Sequence, residues 1–566
     1  MFEQTSVCPG IILVLESSSM SETKLTPTPR RLAAGVMLVL CAASVHAQDP
    51  VPAQGAGQEE AVETGAPEAP DQRVNINEYI VRGNTVLDAR AIERTVTPYL
   101  GPGRTMQDIE SARAALQTAY QERGYQSVYV DLPEQQVSGG IVLLQVTETT
   151  VGTVTVAGAQ HHDPEGLRER VPSLREGQVP DFNLAQEELT ALNRSAKRQV
   201  IPLVKQGTQA GTMDVELKVE DRSPWRFGAS VNNDHSPDTS ALRSVLTAGH
   251  DNLWQKEHVA SLTFFAAPEN LDEANVWSGS YALPLGGPDW TLEFSGYTSD
   301  SDVLTEGSTN VTGRGHSLGV KLSRSLPMAG AWWHQLSAGI DFKDMDERVS
   351  LGDLEAQDVP LKYAPITLGY SGFRQGEKHQ IGTGVQIVFG TRSFLGYGSD
   401  EDEFDWKRYK SDPSFAAVKF DLSDTYTLES GSQWGGRLSA QISDTPLVSG
   451  EQFAAGGMYT VRGYRSAEAL GDYGAVGSLE WRTRPLALWG LQDWRLYTYL
   501  DAAWLKLREP LPEQEDEFSL GSTGVGSSFR LYDHFNFRFD YGYPLKDGPT
   551  TTQGAHRLHF SIGTSF

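Results

Sequence analysis

From residue 224 to the last residue, apolar and polar positions alternate with a period of two, as in strands with one face in an apolar medium and the other in water. Sixteen such segments can be traced, from 224–234 to 555–566. The number is even, as a closed antiparallel barrel of the bacterial outer membrane requires, and a ring of that size leaves room for an aqueous channel. The alternation is clearest near the end. Phe535, Phe537, Phe539, Tyr541 and Tyr543 share one face of a strand, and Asn536, Arg538, Asp540 and Gly542 share the other. Leu558, Phe560, Ile562 and Phe566 repeat the apolar face up to the final position. A soluble sandwich would need a second sheet to cover this ladder of aromatics, whereas a lipid-facing wall needs none. Some joins are short, such as Leu285-Gly286-Gly287 and Met328-Ala329-Gly330. Others are long, above all Thr391–Pro413 with its acidic run Asp400-Glu401-Asp402-Glu403. Short periplasmic turns and long extracellular loops are expected of such a barrel.

Upstream of residue 224 the periodicity is partly helical. Residues 73–149 and 150–222 each read as strand, helix, helix, strand, strand, which predicts two small α+β units. In the first, Ile76–Val81 reads as a strand, and Asp88 caps a helix that Gly101-Pro102-Gly103 ends. A second helix from Met106 to Arg123 carries Ile109, Ala112, Leu116, Ala119 and Tyr120 on one face and closes at Gly124. Ser127–Leu132 and Gly140–Thr147 complete the unit. In the second unit the strands are Gly152–Ala157, Val200–Lys205 and Thr212–Val219, with a short helix Pro164–Arg170 and another capped by Asp181. Residues 48–72, rich in Pro, Ala, Gly and Glu, read as a flexible linker.

The extreme N-terminus reads as a signal peptide, residues 1–47. Arg30-Arg31 precede the apolar run Leu32 to Ala43, and Val45-His46-Ala47 fits a cleavage site after Ala47. Residues 1–19 precede a second methionine, Met20, and read as a misplaced start. Both cysteines, Cys8 and Cys41, lie in this segment, so the mature chain is expected to hold no disulfide and no cysteine metal site. Mean hydropathy is -0.37, and no later run is long and apolar enough for a membrane helix. The net charge of -26 argues against a nucleic-acid partner, which requires a basic face. The 12 histidines show no metal spacing. No GxSxG, HExxH or phosphate-binding P-loop pattern is found, so no enzyme activity, cofactor or metal is expected.

Between the eleventh and twelfth barrel segments lies the run Glu451-Gln452-Phe453-Ala454-Ala455-Gly456-Gly457-Met458-Tyr459-Thr460-Val461-Arg462-Gly463-Tyr464. A glycine-bordered tip carrying one Arg suits a loop folded to deliver a cation to a fixed place. The tetrad Val461, Arg462, Gly463, Tyr464, five strands before the end, resembles the loop signature of the outer-membrane insertase and transporter superfamily. More narrowly it resembles the two-partner secretion transporters of the haemolysin and filamentous-haemagglutinin type. Val81-Arg82-Gly83-Asn84-Thr85, Gly124-Tyr125 and Leu132-Pro133-Glu134-Gln135 likewise resemble a polypeptide-transport-associated (POTRA) domain.

The resemblance implies a 16-strand membrane β-barrel at 223–566, preceded by POTRA domains at 73–149 and 150–222. It further implies an outer-membrane location, insertion by the barrel assembly machinery, and secretion of one unfolded partner that carries an N-terminal secretion domain. An insertase of the same superfamily is the alternative function. By resemblance the loop Arg meets an Asp on a late strand. Asp501 in Tyr499-Leu500-Asp501-Ala502 is the first candidate and Asp540 the runner-up, both on inward parity. Phe566 fits a C-terminal barrel signature. Members of the group often carry an N-terminal plug helix, but Pro50, Pro52, Pro67 and Pro70 argue against one here.

Overall fold

The computed structural model describes residues 73–566 except 138, 194–196, 238, 288, 302–303, 306–310, 313, 350–356 and 489. The expected signal peptide, linker and missing plug helix lie outside these residues. The chain divides into two compact units at Pro224.

The N-terminal unit contains two copies of one topology. In the first, Glu78–Arg82 runs parallel to the central strand Ile141–Glu148, and Val128–Asp131 flanks it antiparallel. In the second, Thr150–Ala157, Thr212–Asp221 and Arg198–Gln206 repeat this order. The long helix Met106–Glu122 starts at a capping box of Thr105 and Asp108 and buries Ile109, Ala112, Leu116 and Tyr120 at helical spacing. The Tyr120 hydroxyl donates to Asn84 at 2.6 Å, which satisfies the polar end of a fully buried ring. Two details differ from the sequence expectation. Gly101-Pro102-Gly103 does not merely end a helix. With Arg104 it forms a strand paired to Val74–Ile76, and Asn77 separates this pair from Glu78–Arg82.

The two copies meet end to end through helices. Gly124, at φ +92°, ends the long helix of the first. Its carbonyl accepts from Phe182 N–H at 2.9 Å, at the start of the helix Phe182–Leu192 of the second. A Cβ at position 124 would lie 2.1 Å from Asp181 Oδ1, so only glycine fits both the backbone and the junction.

In the second copy, Asp221 is buried and accepts from the backbone N–H groups of Gln160, His161 and His162 at 2.8–3.2 Å, with His162 Nδ1 at 3.0 Å. Burial alone would raise its carboxyl, but these donors outweigh it and hold the group below the ordinary carboxylate value. A carboxylate lowered on folding stabilises above its unfolded value, about 3.9. That contribution is lost as pH falls through the folded value. Amide protection of Thr212–Asp221 is therefore expected to fall on acidification below about pH 4, and Asp221→Asn to remove that dependence. Protection unchanged between pH 5 and 3 in the native sequence would contradict this.

The C-terminal unit is a closed antiparallel barrel, running from Trp225–Asn232 to Arg557–Ser565 and back. Eighteen segments form the ring, but Gln357–Tyr363 and Ile366–Gln375 both pair with one neighbour, as do Tyr473–Arg482 and Leu486–Leu488. Each pair is one strand, the eighth and the twelfth, broken at Pro365 or Pro485, where the ladder loses a donor. The barrel therefore has sixteen strands. Side chains alternate as expected. On the thirteenth strand, Leu491–Lys506, Leu496, Leu500 and Trp504 are exposed to the outside while Tyr497, Tyr499, Asp501, Ala503 and Leu505 are buried inside. Phe566 is exposed, and its backbone closes the ring by hydrogen bonds with Phe227 at 2.9 and 3.2 Å.

Candidate functional site: an arginine clasped inside the barrel

The eleventh strand, Gln433–Ser443, is followed by a hairpin that turns into the barrel instead of crossing its rim. Phe453–Ala455 pairs with Ala469–Gly471 at its base. Beyond the base, Gly456, Gly457 and Gly463 take φ values of +114°, +104° and +96°, open to glycine and strained for other residues.

At the tip Arg462 is fully buried, and all its guanidinium donors are engaged. Nε and Nη2 form a fork with the two oxygens of Asp501, each at 2.8 Å, and the Arg462 backbone N–H donates to the same carboxylate at 3.1 Å. Nη1 donates to Glu480 at 2.7 Å and to Asp540 at 3.3 Å, and Nη2 also reaches Ser478 Oγ at 3.2 Å. The Tyr499 ring lies against the guanidinium plane, 3.4 Å from Cζ to the ring centroid. Three carboxylates around one Arg would leave excess negative charge, but Arg482 pairs with Glu480 and Arg538 with Asp540. The ion pairs thus set three cations against three anions, with Arg437 a further cation close to Asp501 and Glu480. Desolvation penalises each charge, and only paired, hydrogen-bonded geometry of this kind offsets it.

The rest of the tetrad seats the tip. Val461 and Tyr464 are buried among Ala455, Val476, Leu505 and Leu520. The Tyr464 hydroxyl lies 2.8 Å from the carbonyl of Lys546 and 3.0 Å from that of Gly521. Gly463 N–H donates to His559 Nε2 at 3.0 Å. Beneath it the fifteenth strand, Phe535–Pro544, presents Gly542, where a Cβ would stand 2.6 Å from Gly463 N. Further along the hairpin, Met458 N–H donates to Asp234 at 2.9 Å, and Glu468 accepts from the N–H groups of Thr550 and Thr551 at 2.7 and 2.6 Å.

The structure thus brings Arg462 to both Asp501 and Asp540, with the fork on Asp501. Phe566 lies apart from the cluster, at the ring's closure. Glu480, Ser478 and Tyr499 were not singled out from sequence. Glu480 had a signal, since it stands between Leu479 and Trp481 on the lipid face, and alternation turns it inward.

A sixteen-strand barrel with an inward hairpin tethered by an arginine, preceded in sequence by two small α+β copies, defines an outer-membrane barrel protein whose lumen holds a clasped loop. Residues 211–529 match the family described as haemolysin secretion/activation protein ShlB/FhaC/HecB, and residues 74–149 match the POTRA domain of ShlB type. The chain belongs to this family. It is a two-partner secretion transporter of the outer membrane with its POTRA region in the periplasm, and its family implies a secreted partner protein. It is similar to the outer membrane transporter CdiB of Dickeya dadantii (strain 3937), 22% identical over 419 residues and covering 72% of each chain. It is 23% identical over 492 residues to CdiB of Escherichia coli O6:K15:H31 (strain 536 / UPEC), covering 83% of this chain and 79% of that one. Among solved structures, CdiB from Escherichia coli superposes with a TM-score of 0.60 at 18% identity, covering 89% and 92%. BamA from Haemophilus ducreyi lacking POTRA domains 1-3 gives 0.51 at 14%, covering 88% and 100%. At these identities the two structures show a shared fold only.

Proposed function

We propose that this transporter recognises its unfolded partner through the periplasmic units and passes it in extended form through the barrel lumen, without ATP and with folding outside as the driving force. The observation that carries this reading is the inward hairpin whose tip is clasped through Arg462, an obstacle tied to the wall by charges that can re-pair. The Arg462 cluster holds the hairpin in the resting state, and its rearrangement opens the path. Barrel insertion is assigned to the barrel assembly machinery.

Recognition is assigned to strand addition at a sheet edge, which matches main-chain donors and acceptors of an extended segment. Ser127–Leu132 and Val200–Lys205 both contain edge strands, but their outward groups are partly engaged. Arg113 Nη1 donates to the Val130 carbonyl at 2.9 Å, and the Val130 N–H points at Gln117 Oε1 at 3.5 Å. The Asn193 amide bonds both backbone groups of Val200, at 2.6 and 2.9 Å, and Pro202 has no N–H. The edge of Thr150–Ala157 is engaged as well, because Val151 exchanges two backbone hydrogen bonds with Gly177 and Gln178. Glu78–Arg82 is different. Its register against Ile141–Glu148 turns the backbone groups of Tyr79 and Val81 outward, and among the described residues no hydrogen bond reaches them. Ile80, Leu143, Ile141 and Tyr129 offer apolar surface on the adjoining face. The partner's secretion domain is therefore assigned to the Glu78–Arg82 edge.

Val81→Pro removes one outward donor from this edge. Release of the secreted partner is expected to drop several-fold, with barrel assembly unchanged by heat-modifiable migration. Undiminished release would move recognition to another edge. Deleting 73–222 tests the wider role, because release that persists from an assembled barrel would exclude the periplasmic units from recognition.

A further inference from the structure

A second cluster, about Asp472 at the outer end of the barrel, has no part in the Arg462 clasp. Asp472 directly precedes the twelfth strand, is fully buried and accepts from three extracellular loops. From the loop between the ninth strand, His379–Phe389, and the tenth, Ala416–Thr427, Arg408 forms a fork onto it, Nη1 at 2.9 Å and Nη2 at 2.6 Å. Within its own loop, Leu447 N–H donates at 2.9 Å and Gln452 Nε2 at 3.3 Å. From the loop after the thirteenth strand, Arg508 N–H donates at 2.6 Å.

Arg408 ends a helix that the acidic run had concealed. Asp400 and Glu403, read from sequence as loop charge, form a capping box for Glu401–Lys407. This helix buries Phe404 completely against Tyr363, Val388, Ala417 and Leu447. The surface it covers faces the lumen, since Phe389 and Val418, the neighbours of Val388 and Ala417, are exposed on the lipid side. Below it, Tyr363 meets Phe404 edge-on at 5.8 Å and donates to Glu451 at 3.1 Å, and Lys343 Nζ lies 2.5 Å from the same carboxylate. The helix therefore lies inside the outer mouth, in contact with the residues that anchor the base of the hairpin.

We infer that the Glu401–Lys407 segment is a lid at the extracellular mouth and that Arg408–Asp472 is its latch, a gate separate from the Arg462 clasp. Its part in cargo exit rests on the transport reading above. The latch itself does not. A fork between a loop arginine and a buried carboxylate is directional enough to hold a seven-residue helix whose one buried side chain is Phe404. An emerging chain that displaces the lid would break this fork while the barrel wall stays paired.

The expected absence of cysteine from the mature chain makes the test direct. In intact cells, Ala417→Cys puts one thiol beneath the lid, and a membrane-impermeant maleimide added outside reports access. Labelling is expected to be slow with the native latch and several-fold faster with Arg408→Gln or Asp472→Asn. Fast labelling with the native latch, or an unchanged rate in Arg408→Gln that still shows heat-modifiable migration, would overturn the lid. Should Asp472→Asn fail to assemble, Arg408→Gln decides alone, because its side chain lies on the lid and not on the wall. Secretion assayed in the same cells separates the two ideas. Latch-dependent labelling with no partner release from the native protein would uphold the latch and refute transport.

Discussion

Arg462→Ala is expected to yield a barrel that assembles in the outer membrane and does not secrete. The wall is held by sixteen ladders of backbone hydrogen bonds in which Arg462 takes no part. The hairpin tip, in contrast, is seated by Val461 and Tyr464, by Gly463 on His559 and, through all of its buried charge pairs, by that one side chain. Removing it leaves Asp501 without its fork, and the three carboxylates facing Arg482 and Arg538, with Arg437 nearby. Breaking a buried pair costs about 3–5 kcal/mol because the remaining charge is desolvated without a partner. At about 1.4 kcal/mol per factor of ten, docking of the hairpin weakens by roughly two to four powers of ten. Arg462→Lys keeps the charge but cannot reproduce a planar fork with side branches to Glu480 and Ser478, so it is expected to secrete poorly as well. Asp501→Ala should approach Arg462→Ala in severity, because Asp501 takes both arms of the fork and the backbone N–H. Asp540→Ala should be milder, since its contact with Arg462 is 3.3 Å. The measurement is partner released into the medium, normalised to heat-modifiable barrel. Secretion at the native level by well-assembled Arg462→Ala would remove the clasp from the account.

Gly542→Val is expected to give the same phenotype without touching a charge. Valine suits a strand, so the fifteenth strand should form and pair. Its Cβ would stand 2.6 Å from Gly463 N and 2.7 Å from Gly463 Cα, and both are backbone atoms that cannot rotate away. The tip must lift, and Arg462 with it. Gly436→Ala is the matched control, because nothing lies within 4 Å of a Cβ there. Limited proteolysis from the outside should cut residues 456–464 in Gly542→Val and spare them in Gly436→Ala. Equal protection in both would show that the tip does not rest on Gly542.

The barrel was legible because a wall between lipid and water imposes period two on every strand, and the stretch from Phe535 to Tyr543 displays it without interruption. The POTRA topology was legible from helix caps and from the spacing of Ile109, Ala112, Leu116 and Tyr120. Chemistry written across strands was less legible. Glu480, Ser478 and Tyr499 lie far from Arg462 in sequence or on another strand, and only closure of the ring makes them neighbours. The helix Glu401–Lys407 was hidden because four successive acidic residues suggest a solvated loop. Yet Asp400 and Glu403 stand at capping-box spacing, and Phe404 supplies the apolar residue such a helix needs. Edge capping by Asn193 and Arg113 had no sequence signal, since it depends on which backbone groups the register turns outward.

The central claim, that the partner crosses through this lumen, is tested most directly by site-specific photocrosslinking during secretion. Gln386 faces the lumen opposite Lys419, whereas Leu422 on the tenth strand faces lipid. A photoreactive residue in place of Gln386 is expected to capture the partner in transit, and one in place of Leu422 to capture none. Capture at neither position while the partner is still being released, or at Leu422 alone, would contradict passage through the barrel.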